Sequence, residues 1–276
     1  MIALALVAAS ALVFTRVILR IRRDGGKVRS AGFGISEALA AFVLGSYFCL
    51  LIGQTLLVKK ESPASPASPA IEETASDSII TTQLIPNSAF FIVLASGVAL
   101  YLKFARGMSL RETFGLDRLS PLKILGWAAG LVICAFPLIG LAAFLSQAAL
   151  PKEELTPQPL VQLFRDFAHQ GNYRAVAVIL VAAGVIAPMC EEFLFRGFFY
   201  GVGKQFLRPV PAGILTAILF AAFHLNLASL FVLAVCFTLA YERTGSLLVP
   251  ICMHALFNFT NLFAIFGQAQ GWFSTQ

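Results

Sequence analysis

The residues in this sequence best suited to chemistry are few, and they lie where charge is costly. Glu191 and Glu192 stand side by side near the end of an apolar run that begins at Ala175, and Arg196 follows one helical turn after Glu192. Two histidines, His224 and His254, interrupt other apolar stretches, and Asn258 comes four residues after the second. Ionisable groups at membrane depth are expensive and are a sign of function before they are a sign of packing. Glu192 and Arg196, acid first at i,i+4, share a helix face and can pair. Glu191 is turned about 100° from that face, so its lone pairs are free for general-base work on a water. Pro188, a turn upstream, removes a backbone donor, which frees the Gly184 carbonyl and predicts a bend just before the acids.

Two chemistries fit this set. Zinc could bind Glu191, His224 and His254, a tetrahedral set with an open position that activates water. Alternatively Glu191 and His224 polarise a water without metal, and His254 and Asn258 donate hydrogen bonds to the oxyanion of a tetrahedral intermediate. An amide is a poor zinc ligand, so Asn258 leans toward the second. Neither HExxH nor Gly-x-Ser-x-Gly occurs, and Ser229 and Ser246 are not beside a histidine in the chain. Taken singly, each histidine reads equally well as a hydrogen-bonded packing residue. Together with the acids, and with Asn261 extending the His254–Asn258 stripe, they read as one site.

The elements that must hold these residues are membrane helices. The chain is 58% hydrophobic and 12% charged with mean hydropathy +0.83, whereas soluble domains carry about 25% charged residues. Eight apolar runs are long enough, or nearly so, to cross a bilayer: 2–19, 35–58, 89–101, 124–150, 175–195, 210–224, 227–241 and 247–266. The fold class expected is an all-α polytopic membrane protein with a polar cavity in its helix bundle. The first run lacks the basic region that precedes the apolar core of a signal peptide, so it reads as a retained span. The five cysteines form no CxxC pair and read as packing residues.

Charge sets the expected orientation. Arg16, Arg20, Arg22, Arg23, Lys27 and Arg29 follow the first run; Lys103, Arg106, Arg111, Arg118 and Lys123 follow the third. Arg196, Lys204 and Arg208 follow the fifth, and Arg243 the seventh. The positive-inside rule puts these alternate loops in the cytoplasm and both termini outside, in the plasma membrane of a prokaryotic cell. It also accounts for the net charge of +6 without nucleic acid, for which no basic stripe with interleaved aromatics is present.

Between the second and third runs, Ser-Pro-Ala repeats three times and acids follow. Such sequence reads as a flexible external linker at 59–88. It separates a two-helix appendage, 1–58, from a six-helix body, 89–276. The basic loop at 108–121 carries short amphipathic sequence expected at the cytoplasmic interface. Glu37, just after Ser36, suits the first turn of a helix, where a carboxylate meets the positive dipole end.

Three short patterns then fall in order on separate spans: Glu191-Glu-Phe-Leu-Phe-Arg196, Phe220-Ala-Ala-Phe-His224 and His254-Ala-Leu-Phe-Asn258. They resemble the EExxxR, FxxxH and HxxxN motifs of the CAAX protease and bacteriocin-processing family of intramembrane proteases. The turn Tyr241–Ser246 is similar to that family's as well. The likeness covers about 124–266. It implies endoproteolysis at the membrane, of a prenylated C-terminal tail in eukaryotic members. By motif position, Glu191 and His224 would activate water, His254 and Asn258 would form the oxyanion hole, and Glu192 and Arg196 would support them. The resemblance favours a metal-independent glutamate mechanism, although members were first classed as metalloproteases. The partners expected are the bilayer and a peptide substrate, lipidated or not, reached through a cytosolic opening. The same residues leave open a non-catalytic binding or immunity protein that keeps the fold. A proton-coupled transporter is less well supported, since inverted repeats and broken helices are missing from the pattern.

Overall fold

The computed structural model describes residues 1–61, 79–149, 159–224 and 227–272. Its helices are α1 Ile2–Asp24, α2 Ile35–Glu61, α3 Ile85–Ala105, α4 Leu110–Thr113, α5 Pro121–Ala149, α6 Pro159–His169, α7 Tyr173–Leu207, α8 Pro209–Phe223, α9 Leu227–Thr244 and α10 Leu248–Ala269. No strand occurs among the described residues. A bilayer leaves backbone polar groups no partner but their own helix, so continuous apolar runs become helices. Proline opens α5, α6 and α8, where a missing N–H costs nothing. The chain is an all-α polytopic membrane protein.

Six of these helices (α1, α2, α3, α5, α7 and α10) are long and apolar enough to cross a membrane. The eight expected runs all lie on helices, but α8 has only 15 residues and α9 only 18. α8 buries Ala212, Gly213, Thr216, Ala217, Phe220 and Ala221 and exposes Val210, Ile214, Leu215 and Ile218 on its other face. The bundle's outer face is apolar, with Phe42, Val93, Phe104, Ile133, Phe144 and Ile218 all exposed. Only a hydrocarbon solvent makes that tolerable.

The core runs along α5. Ile124, Ala128, Leu131, Val132, Ala135 and Ile139 are buried at spacings of three and four. The alanines let α9 and α10 approach closely, as small residues do in membranes. The two N-terminal helices share this core. Phe14 and Val17 of α1 join it, and buried Phe48 of α2 has ring centroids 5.1 Å from Phe223 and 5.9 Å from Phe195. They are packed into the bundle and do not hang from it. Of the expected linker, 59–61 close α2, and 80–88 are helical, beginning with a wide π turn at Ile80–Leu84. Residues 62–78, with the Ser-Pro-Ala repeats, lie outside the described residues.

One end of the bundle is knitted shut. The loop after α1 crosses it, with the Lys27 N–H donating to the Glu242 carbonyl at 3.0 Å and Arg118 donating to the Lys27 carbonyl at 2.8 Å. Lys204 bonds both the Val28 carbonyl and the Glu242 carboxylate, which also accepts from Tyr200 at 2.6 Å. The amphipathic loop after α3 is folded into this layer: Phe114 is buried edge-on against Phe193, and its carbonyl accepts from Leu247. Gly115 and Gly245, at φ 61° and 72°, meet so closely that a Cβ on Gly115 would lie 2.0 Å from the Gly245 carbonyl oxygen. Glu37 opens α2, accepting from the Gly34 N–H at 2.6 Å, and also binds Tyr101 and Arg106 at the end of α3.

Candidate active site

Three helices converge on the acids. Glu191 and Glu192 lie on α7 between two wide π turns, Ala182–Ile186 and Phe193–Phe199. His224 caps the end of α8, and His254 and Asn258 lie one turn apart on α10. Glu192 pairs with Arg196 at 2.8 Å, and their side chains are 0% and 1% exposed. The guanidinium also donates to the Ala234 carbonyl and lies between the rings of Phe220, at 4.4 Å, and Phe237, at 5.1 Å. A buried cation so surrounded has its charge met on every side.

Glu192 has a second partner. Its Oε1, already bonded to Arg196, also accepts from His254 Nδ1 at 2.9 Å. A carboxylate paired with guanidinium only accepts, so His254 carries its proton on Nδ1. His224 is held likewise, with Nδ1 donating to the Phe220 carbonyl at 2.8 Å and its ring against the Phe220 ring. Both imidazoles, anchored through Nδ1, therefore turn Nε2 toward Glu191. The distances from Glu191 Oε2 are 3.6 Å to His224 and 3.9 Å to His254. That carboxylate oxygen is buried and has no hydrogen-bond partner among the described residues. One carboxylate oxygen and two imidazole nitrogens thus meet at one buried point.

A buried acceptor left so costs about 1–3 kcal/mol and marks a place built for something else. The arrangement suits a water, which can donate to Glu191 and bond the imidazoles beside it. The same three atoms are those a zinc ion would use. Among the described residues, however, no group of three or more His, Cys, Asp or Glu side chains is arranged to hold a metal. Asn258 stands at the edge of the site, donating through Nδ2 to the Ala183 carbonyl at 2.7 Å. His169 ends α6, exposed, and takes no part in the site.

Glu191 opens into a cavity of about 860 Å³, whereas Glu192 lies behind the wall. Its wall comes from the N-terminal half of α3, the C-terminal half of α5, the start of α6 and the N-terminal half of α7, with the adjoining ends of α8, α9 and α10. In an alternating bundle these are all one end, and it is the end opposite the knitted basic loops. Asn87 and Pro159, both exposed, form part of its rim. The opening expected on the side of the basic loops is not where the cavity lies: its described rim is at the other end. The depth of Glu191 along α7 pointed to the basic end, but the packed layer of Phe114, Tyr200 and Glu242 closes that route.

Sequence reasoning missed several participants. Ser229, Asn87 and Ser88 line the cavity as polar groups among Phe91, Leu160 and Leu230. Phe237, against whose ring His254 stacks at 5.1 Å, lies on a helix without any of the three motifs. The Ala183 carbonyl had no signal beyond Pro188, and that pointed to Gly184.

The comparisons with known proteins bear on this geometry. Residues 173–260 match the family model described as type II CAAX prenyl endopeptidase, Rce1-like. The resemblance read from the three motifs is borne out, and all seven motif residues lie inside that stretch. A protein of Bacillus subtilis named as the putative membrane peptidase YdiL is 30% identical over 88 residues, which is 31% of this chain and 36% of that protein. An uncharacterised 24.3 kDa protein of Escherichia coli is 29% identical over 175 residues, covering 56% of this chain and 76% of the relative. The chain thus matches about a third of the length of the first relative and three quarters of the second. No solved structure matches.

Proposed function

We propose that this protein is a membrane-embedded endopeptidase of the CAAX-protease-like kind, hydrolysing a peptide bond of a membrane-associated substrate in the cavity above Glu191. The observation that carries this reading is the meeting of Glu191 Oε2, His224 Nε2 and His254 Nε2 at one buried point on the cavity wall. A water there gives one proton to Glu191, beside His224, as it attacks the peptide carbonyl, and that proton passes to the leaving amine as the C–N bond breaks. His254, its Nδ1 held by Glu192, turns Nε2 toward the oxyanion and donates to it in the form that carries a proton there. With the remaining Asn258 N–H it can then stabilise the oxyanion. Glu192 and Arg196 keep that imidazole in its tautomer and place.

The test is cleavage of a membrane-peptide library by the purified protein and by Glu191→Gln. Loss of about 10³-fold or more in kcat/KM, with the unfolding temperature retained, is expected. A variant that keeps the protein's biological effect unchanged would instead mark a binding or immunity protein. Metal content is measured on the same preparation. A stoichiometric metal whose removal abolishes cleavage would replace the metal-free reading with one in which Glu191, His224 and His254 are ligands.

A further inference from the structure

Pro188 sits where a widened turn needs a donor. In the π turn Ala182–Ile186, the Ala187 N–H reaches back five residues to the Ala182 carbonyl. The next bond in that register would run from residue 188 to the Ala183 carbonyl, and proline has no N–H to give. That carbonyl accepts from Asn258 of α10 at 2.7 Å. We propose that Asn258 is a positioning residue, supplying from α10 the hydrogen bond that Pro188 withholds and so holding the wide turn that aims Glu191 at the two histidines.

The surroundings agree with this assignment. Ala183, Ala187 and Glu191 line one wall of the cavity at successive spacings of four. Such residues drift by about 40° per step round an unbroken α-helix. A turn that takes one extra residue offsets the drift and keeps Glu191 on the wall. Gly184 lets α10 press on the same turn, since a Cβ there would come within 2.4 Å of the Phe259 ring. Asn258 and His254 share a face of α10, so a single bond to Ala183 sets the register between the helix that carries the acid and the helix that carries an imidazole. One amide N–H is spent on the backbone, and the other remains for the cavity.

The experiment is a double-mutant cycle on the detergent-purified full chain, with Asn258→Leu and Pro188→Ala singly and together. Each is read by thermal unfolding and by cleavage kinetics. Leucine keeps the volume of asparagine and removes its donor. Asn258→Leu is expected to lower the melting temperature. It should also cut kcat by about tenfold or more while KM stays within about twofold, because the acid is displaced and an oxyanion donor is lost with it; the thermal cycle isolates the positioning role. In the Pro188→Ala background the backbone again supplies the Ala183 carbonyl, from residue 188 in the wide register or from residue 187 in an α register. Adding Asn258→Leu there should lower the melting temperature by less than half as much. Equal losses in both backgrounds, or no loss in either, overturn the assignment. If Asn258→Leu alone does not fold, its recovery in the Pro188→Ala background supports the proposal, and failure in both refutes it. The kinetic arm rests on the endopeptidase reading and the thermal arm does not. A wild type that cleaves nothing therefore counts against the first while the unfolding cycle still decides the second.

Discussion

At the scale of single residues, Arg196 shows how this site tolerates charge. Its guanidinium touches a carboxylate, a carbonyl and two aromatic faces without meeting solvent. Removing one member of a buried pair strands the other, at a cost of about 3–5 kcal/mol, whereas replacing both with apolar residues can be nearly neutral. Arg196→Leu is accordingly expected to lower the melting temperature sharply. The double variant Glu192→Leu/Arg196→Leu should recover much of that loss in thermal unfolding yet stay inactive, because His254 then lacks the carboxylate that fixes its proton on Nδ1. A double variant as unstable as the single one would show that the pair does more than balance its own charges.

At the scale of elements, two short contacts carry much of the architecture: the Ala183 carbonyl on α7 and the glycine pair at the basic end. Gly115→Ala would force a side chain into the left-handed region and against the Gly245 carbonyl. We expect it to lower stability by more than about 1 kcal/mol, read as a lower denaturation midpoint. Its Gly115→Asn counterpart, more tolerant of positive φ but no smaller, should not restore it, since space and not only conformation is lacking. What the sequence made legible follows from the physics each feature obeys. Spans stand out because a bilayer demands apolar length, and Glu192 with Arg196 because i,i+4 geometry is local. The motifs named His224, His254 and Asn258 as a set. The wide turns of α7 were not legible, because a π turn has no compositional mark. Pro188 implied a freed carbonyl, but the changed register moved it from Gly184 to Ala183. Glu37 read as a first-turn acid. Its bonds to Tyr101 and Arg106 depend on where α3 ends, which only packing decides. The shortness of α8 was visible in the run 210–224, which the helix matches within a residue at each end.

At the scale of the whole molecule, the cavity mouth and the basic loops lie at opposite ends. With the basic loops in the cytoplasm, as their charge favours, the substrate reaches Glu191 from the other side of the membrane. Single cysteines at Asn87 and at Arg208, in a variant whose five native cysteines are replaced, test this with a membrane-impermeant maleimide on intact cells. Asn87→Cys should be labelled at once and Arg208→Cys only after permeabilisation. The reverse pattern would return the mouth to the cytoplasm, and labelling of both from one side would contradict the packing. The knitted end has a further consequence. A bundle stoppered at one end by Phe114, Tyr200 and the Lys204–Glu242 pair leaves the cavity a described rim at the other end alone. The water consumed at Glu191 and the fragments released there would then share one passage with the incoming substrate, so that product exit and substrate entry compete for the same rim.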